Sequence, residues 1–178
     1  MGQNRRVIPR EPGALTQSED DRRELAVWAA DCAEHTRPLF EAHAPTDGRP
    51  RAAIDGVRAF ARGELRIGPA RALSVAAHAA AREVGDPAAV AAARAAGHAV
   101  ATAHMASHAR GAPAYAAKAR SLAARDDPSA GSNEIQWAFD HASLEVRGVL
   151  RRLPSPDRPV GILGAVISEI HRRVTEDR

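Results

Sequence analysis

Small apolar residues occupy almost every position of the segment Asp86–Arg110, DPAAVAAARAAGHAVATAHMASHAR. Asp86 can accept a hydrogen bond at a helix N-cap, and Pro87 has a backbone angle suited to the first helical turn. A helix that is apolar on all sides is usually buried on all sides. We therefore predict that Asp86–Arg110 is a central helix, rich in alanine and histidine, around which the rest of the chain packs.

The flanking sequence predicts further helices separated by short loops that contain proline or glycine. Ser18, with Asp21 three residues later, predicts the start of the first helix, and Pro38 predicts its end near Thr36. Gly63 predicts the C-cap of the second helix. No β-branched, alternating run of strand length is present, so we expect no sheet. With the central segment, the predicted helices cover residues 18–36, 50–62, 68–84, 86–111, 113–125, 133–153 and 162–173.

The composition along the chain divides it into three parts. Residues 1–14 carry prolines and glycines among charged residues and are predicted to form a flexible tail. Residues 15–153 are predicted to form an all-α, single-domain bundle of six to seven helices. Residues 154–178 combine a proline-rich linker with an amphipathic helix, which we expect to dock on the body; the alternative is that it mediates a homo-oligomer. The apolar stripe of this helix consists of Ile162, Val166, Ile170 and Val174.

Charge and cysteine content narrow the classes of protein that fit. The 25 Lys and Arg against 22 Asp and Glu give a net charge of +3, which is too small to argue nucleic-acid binding by itself. A nucleic-acid-associated protein would need its arginines gathered on one face and binding that falls steeply with salt. The single cysteine, Cys32, excludes an internal disulfide and fits a reducing cytosol. No apolar run suits a signal peptide or a membrane span, so we expect a cytoplasmic protein without a membrane partner.

Five blocks of the sequence occur together in a recurring bacterial pattern. They are WAADCAE at 28–34, DGRPR at 47–51, RAFARGE at 58–64, HAAAR at 78–82 and AAGHAVATAHM at 95–105. In this order they resemble the immunity-five-like group of immunity proteins, and the resemblance covers residues 15–122. It implies a protein that protects a bacterium from polymorphic toxins by stoichiometric binding to a cognate protein toxin. Such binding needs no catalytic residues and no cofactor.

Charged and histidine side chains interrupt the apolar faces of four predicted helices. Because buried charges have to be paired, these residues predict a network of Asp, Arg and His that joins the helices. Two alternatives stay open: a ligand pocket or catalytic site, and a partly exposed surface that contacts a toxin. Trp28, on the first predicted helix, is expected to be an anchor of the core. Trp137 is expected to be either a core residue or an interface hot spot. The binding candidates are Trp28, Asp31, Glu34, Arg58, Arg62, His78, Arg82 and His98.

A second set of residues could hold a metal ion. His104 and His108 are four residues apart, which places them on one face of the predicted central helix at one-turn spacing. If the first helix packs on the central one, Cys32 could complete a zinc or iron site with them. The alternative is that the histidines donate to carboxylates or carbonyls in an alanine-lined core. Cys32 lies near His35 without an obvious oxyanion hole, so we expect no catalytic role and do not predict an enzyme.

Overall fold

The computed structural model describes residues 17–156 and 161–176. In these ranges the chain forms eight α-helices, one 3-10 helix and no strand, which confirms the all-α class with a slightly larger number of helices than predicted. The predicted tail at 1–14 and residues 157–160 of the linker lie outside the described residues. The helices are α1 Glu19–Glu41, α2 Arg49–Ala61, α3 Ile67–Glu83, α4 Pro87–Ala101, α5 Gly111–Ala123, α6 Ala130–Asp140, α7 Leu144–Arg152 and α8 Gly161–Glu176, with the 3-10 helix at Ala106–Arg110.

Helix α4 is the centre of the bundle, as its apolar sequence predicts. It packs against α1, α2, α3 and α5, and eleven of its fifteen residues are buried. Its start follows the predicted cap, because the Asp86 side chain accepts a hydrogen bond from the Ala89 amide at 2.9 Å and Pro87 occupies the first turn. Most of its buried residues are alanines, so the neighbouring helices approach closely.

The central helix is shorter than the sequence predicts. It ends at Ala101, where the next amides bond to carbonyls three residues back, including Ala103 to Val100 at 3.2 Å. Met105 then has an extended backbone, and the guanidinium of Arg22 on α1 donates to the Ala103 carbonyl at 3.0 Å. The expectation of one helix through residue 111 was therefore wrong. A distant arginine stabilises the turn that ends α4.

Two other helix boundaries also differ from the prediction. Helix α1 continues through Pro38 to Glu41, because the missing proline amide costs one hydrogen bond while the buried Phe40 anchors the last turn in the core. The predicted helix at 133–153 is divided into α6 and α7. Its interruption is at Ser143, whose hydroxyl accepts from the Val146 amide at 3.2 Å and starts a new helix.

The C-terminal helix α8 docks on the body, against α5 and α7 and, more lightly, α6. Its residues Val166, Ile170 and Val174 are buried in the main apolar core. None of the helices in the described ranges is long and apolar enough to cross a membrane.

Candidate functional site

Four histidines and a tyrosine form a contiguous group on the α3–α4–α5 side of the bundle, which we call the histidine cluster. His98 of α4 lies at its centre: its ring centroid is 5.4 Å from that of His78 on α3 and 5.0 Å from that of Tyr115 on α5. The Nδ1 atoms of His98 and His108 are 3.3 Å apart, and His104 packs on His108 at 5.3 Å between ring centroids. The shortened central helix places His104 in a turn and His108 in the 3-10 helix, rather than on one face of α4.

Two glycines make room for these rings. A Cβ atom built on Gly97 would lie 2.6 Å from Cε1 of His78, and one built on Gly111 would lie 2.4 Å from Nδ1 of His98. Real Cβ contacts are essentially never this short, so a larger residue at either position would displace a ring. Gly97 also brings the backbone of α4 close to α3, where Ser74 donates to the Gly97 carbonyl at 2.9 Å.

The surroundings disfavour protonation of the histidine cluster. Burial is the main cause of the lowered pKa of all four histidines, and it contributes most to lowering the pKa of His98 to about 3. Positive charges act in the same direction: Arg94 lowers the pKa of His98 further, and Arg71 and Arg82 do so for other members of the cluster.

The histidine cluster is part of a larger surface, which we call the cationic face. On α3, positions 71, 75, 78 and 82 follow helical spacing and form one stripe. Helix α4 lies between α3 and α5, and after Pro87 only residues 90, 94 and 98 of α4 are not fully buried. The cationic face consists of Arg71, Val75, His78 and Arg82 of α3, Val90, Arg94 and His98 of α4, and Tyr115 and Lys118 of α5.

A second surface lies where α1 meets α6, and we call it the aromatic–acidic hollow. It is open, has a volume of about 250 Å³, and is lined by Asp31, Glu34, His35, Trp137 and His141. The Trp137 ring is stacked between the two imidazoles, at 4.1 Å from that of His35 and 4.0 Å from that of His141. Tryptophan is enriched at protein interfaces.

The charges of the aromatic–acidic hollow are already paired within the chain. Arg58 donates to Asp31 at 3.1 Å and to Glu34 at 3.5 Å. Beneath them, the buried carboxylate of Glu134 accepts from Nδ1 of His35 at 2.9 Å and from Nε of Arg120 at 3.2 Å. The carboxylates at the rim and the one beneath it therefore have cationic or imidazole partners.

The predicted network of binding candidates is thus divided between two surfaces. Asp31, Glu34 and Arg58 come together at the hollow, whereas His78, Arg82 and His98 belong to the cationic face. Arg62 joins neither group, because it pairs with Glu64 at 2.7 Å. Trp28 is buried, and its Nε1 donates to the Ala138 carbonyl at 2.7 Å, which ties α1 to α6 beneath the hollow.

Cys32 is also buried, in the main apolar core, and burial raises the pKa of its thiol well above its usual value. The predicted metal ligands Cys32, His104 and His108 do not come together as a ligand set. Among residues 17–156 and 161–176, no three His, Cys, Asp or Glu side chains are placed to hold a metal ion.

Two buried charged residues were not predicted from the sequence. The guanidinium of Arg110 donates to the carbonyls of Leu150, Leu153 and Pro154 at 2.8–3.3 Å, and burial lowers its pKa to about 10. It closes the end of α7, where carbonyls lack helical partners. Glu134 is the other charge. A carboxylate on an otherwise apolar stripe of a helix is a signal for such a residue, whereas nothing in the local sequence marks Arg110.

Comparison with known proteins identifies a family. The family model described as "Imm-5 like putative immunity protein" matches residues 15–145. No curated protein and no solved structure matches the chain. The matched range extends from the residues before α1 into α7, so it includes every residue of the cationic face and of the aromatic–acidic hollow.

Proposed function

Because the chain belongs to the Imm-5 like family of immunity proteins, we propose that it protects a bacterial cell by binding one toxin protein at a fixed ratio in the cytoplasm. The family match over 131 of the 178 residues carries this proposal. In this function the chain occludes the toxin and performs no chemical step of its own.

Each of the two surfaces is suited to protein binding, so one of them is enough for this mode of action. Both are formed on packed helices, so the backbone that carries their side chains is in place before a partner arrives. Between them they offer arginines and an aromatic stack, and arginine and tryptophan are the residues that contribute most at protein interfaces. Cys32 would be a poor nucleophile, because its thiol is buried and its pKa is raised.

Co-expression with toxins tests the proposed function. Each toxin domain encoded in the same genome is expressed in a bacterial host with and without this chain, and growth is measured. We expect the chain to restore growth with one toxin and to form a complex of fixed stoichiometry with an inactive variant of it, measured by light scattering and titration calorimetry. An unrelated immunity protein is the control. The proposal would be refuted if the chain restored growth with none of the toxins. It would also be refuted if the chain protected the host at a concentration far below that of the toxin, because such protection requires catalytic turnover.

A further inference from the structure

We propose that the cationic face, on α3, α4 and α5, is where the toxin docks, and that the surface it covers on the toxin is acidic around an apolar centre. This assignment rests on the proposed function, and it adds the docking face and the chemistry of the partner.

The helices that form this face have an excess of positive charge, and four of their cations lie on the face itself: Arg71, Arg82, Arg94 and Lys118. Residues 66–125, which contain α3, α4 and α5, have eight Lys and Arg and only two Asp and Glu, an excess of six positive charges. The whole chain has an excess of only three, so the remaining residues together carry a net charge of −3. Like charges concentrated on one side of a protein raise its attraction for a partner of opposite sign and speed the encounter.

The cations of this face are also available to a partner. In the described ranges, Arg71, Arg82, Arg94 and Lys118 make no hydrogen bond and no ion pair. At the aromatic–acidic hollow, in contrast, Arg58 already donates to two carboxylates. A paired charge has to give up its partner or share it when it binds another, whereas an unpaired one needs only to lose water. The unpaired charges therefore favour the cationic face over the hollow as the docking surface.

The shape and composition of the face indicate a protein as its partner. Val75 is 67% exposed and lies on the α3 stripe between Arg71 and Arg82, and the partly exposed Val90 lies on the α4 stripe beside Arg94. An apolar centre surrounded by charges is the usual anatomy of a protein interface. A phosphate backbone would gain nothing from Val75. The aromatic ring of Tyr115 is stacked on His98, so it is not free to stack on a base.

Substitutions that remove charge from the face, and matched ones elsewhere, test the assignment. The test variant is R71Q/R82Q/R94Q. The control variant R51Q/R152Q/R172Q also removes three positive charges, but from exposed arginines outside this face that are already paired. Arg51 is paired with Glu41, Arg152 with Asp21, and Arg172 with Glu169 and Glu176. With the toxin that the wild-type chain neutralises, we expect the test variant to weaken the Kd at least about 30-fold and to lose protection, and the control to stay within about threefold of wild type.

Two further variants keep the result interpretable. V75E places a carboxylate at the exposed centre of the face without touching the core, so we expect the chain to fold and to bind the toxin at least about tenfold more weakly. W137S alters the aromatic–acidic hollow, and we expect it to keep toxin binding. Circular dichroism melts verify that each variant is folded.

The outcomes separate the docking assignment from the proposed function. If the wild-type chain neutralises no toxin, both fail. If it neutralises a toxin and R71Q/R82Q/R94Q and V75E bind that toxin as tightly as wild type, the docking assignment is wrong and the proposed function stands. Loss of binding in W137S alone would place the toxin at the hollow and also overturn the assignment. Nucleic acid is tested with a fluorescent 20-base-pair DNA duplex at 150 mM salt. If the wild-type chain binds this duplex and R71Q/R82Q/R94Q abolishes that binding while toxin binding is unchanged, the face binds nucleic acid instead of the toxin.

Discussion

The neutral histidine cluster makes the stability of the protein dependent on pH, and His98 gives the largest expected effect. The pKa of His98 is lowered from 6.5 to about 3, first by burial and then by His108, His78 and Arg94. The folded protein thus resists protonation of His98, whereas the unfolded chain takes up the proton near pH 6.5. The contribution of neutral His98 to the stability of the fold is therefore fully present above pH 6.5 and is lost as the pH falls toward 3.

The size of the effect follows from the two pKa values. Over the whole range, the shift of about 3.5 pKa units corresponds to about 5 kcal/mol of stability. Between pH 7 and pH 5, where the protein is easiest to study, the loss from His98 alone is about 2 kcal/mol. The other three histidines of the cluster act in the same direction, because burial lowers each pKa.

The assay compares urea denaturation of wild type and His98→Asn at pH 7 and pH 5. Asparagine keeps a polar group near the position of Nδ1 but does not titrate. The carboxylates elsewhere are the same in both proteins, so their contributions cancel in the difference between the two pH dependences. We expect the free energy of unfolding to fall by about 2 kcal/mol less in His98→Asn than in wild type. An equal fall in the two proteins would refute the reasoning, and His98→Gln serves as a second neutral replacement.

Three further predictions concern buried groups. Glu134→Ala should lower the free energy of unfolding by about 2 kcal/mol, which is less than the roughly 3–5 kcal/mol for breaking a fully buried pair because the partner Arg120 is partly hydrated. Glu134→Gln should lower it less, and an unchanged urea midpoint for Glu134→Ala would contradict the prediction. Arg110→Met should lower the free energy of unfolding by about 2–6 kcal/mol, because its three charge-assisted hydrogen bonds to carbonyls, of about 1.5–3 kcal/mol each, outweigh the roughly 3 kcal/mol cost of burying the charge. Equal or greater stability of the variant would show that this cost dominates. Cys32 should react with a thiol reagent at pH 8 only as fast as the protein unfolds, and rapid labelling of the native protein would contradict its burial.

Features that depend on close neighbours in the chain could be predicted from the sequence. The Ser18 hydroxyl accepts from the Asp21 amide at 3.0 Å, and Asp86 caps α4, because both contacts span only three residues. Gly63 has the positive φ of +78° that its predicted place after α2 favours. The apolar composition of the central segment predicted its burial, since a helix that is apolar on all sides is usually buried on all sides.

Features that depend on distant residues were decided by the tertiary structure. The end of α4 depends on Arg22, 81 residues away from the carbonyl it contacts, and the buried carboxylate of Glu134 meets His35 across 99 residues. The sequence alone indicated that charged and histidine residues interrupt apolar faces, but it did not separate the histidine cluster from the aromatic–acidic hollow. The physical reason is that helical periodicity defines which residues share one helix face, while the rotation and packing of each helix define which faces meet.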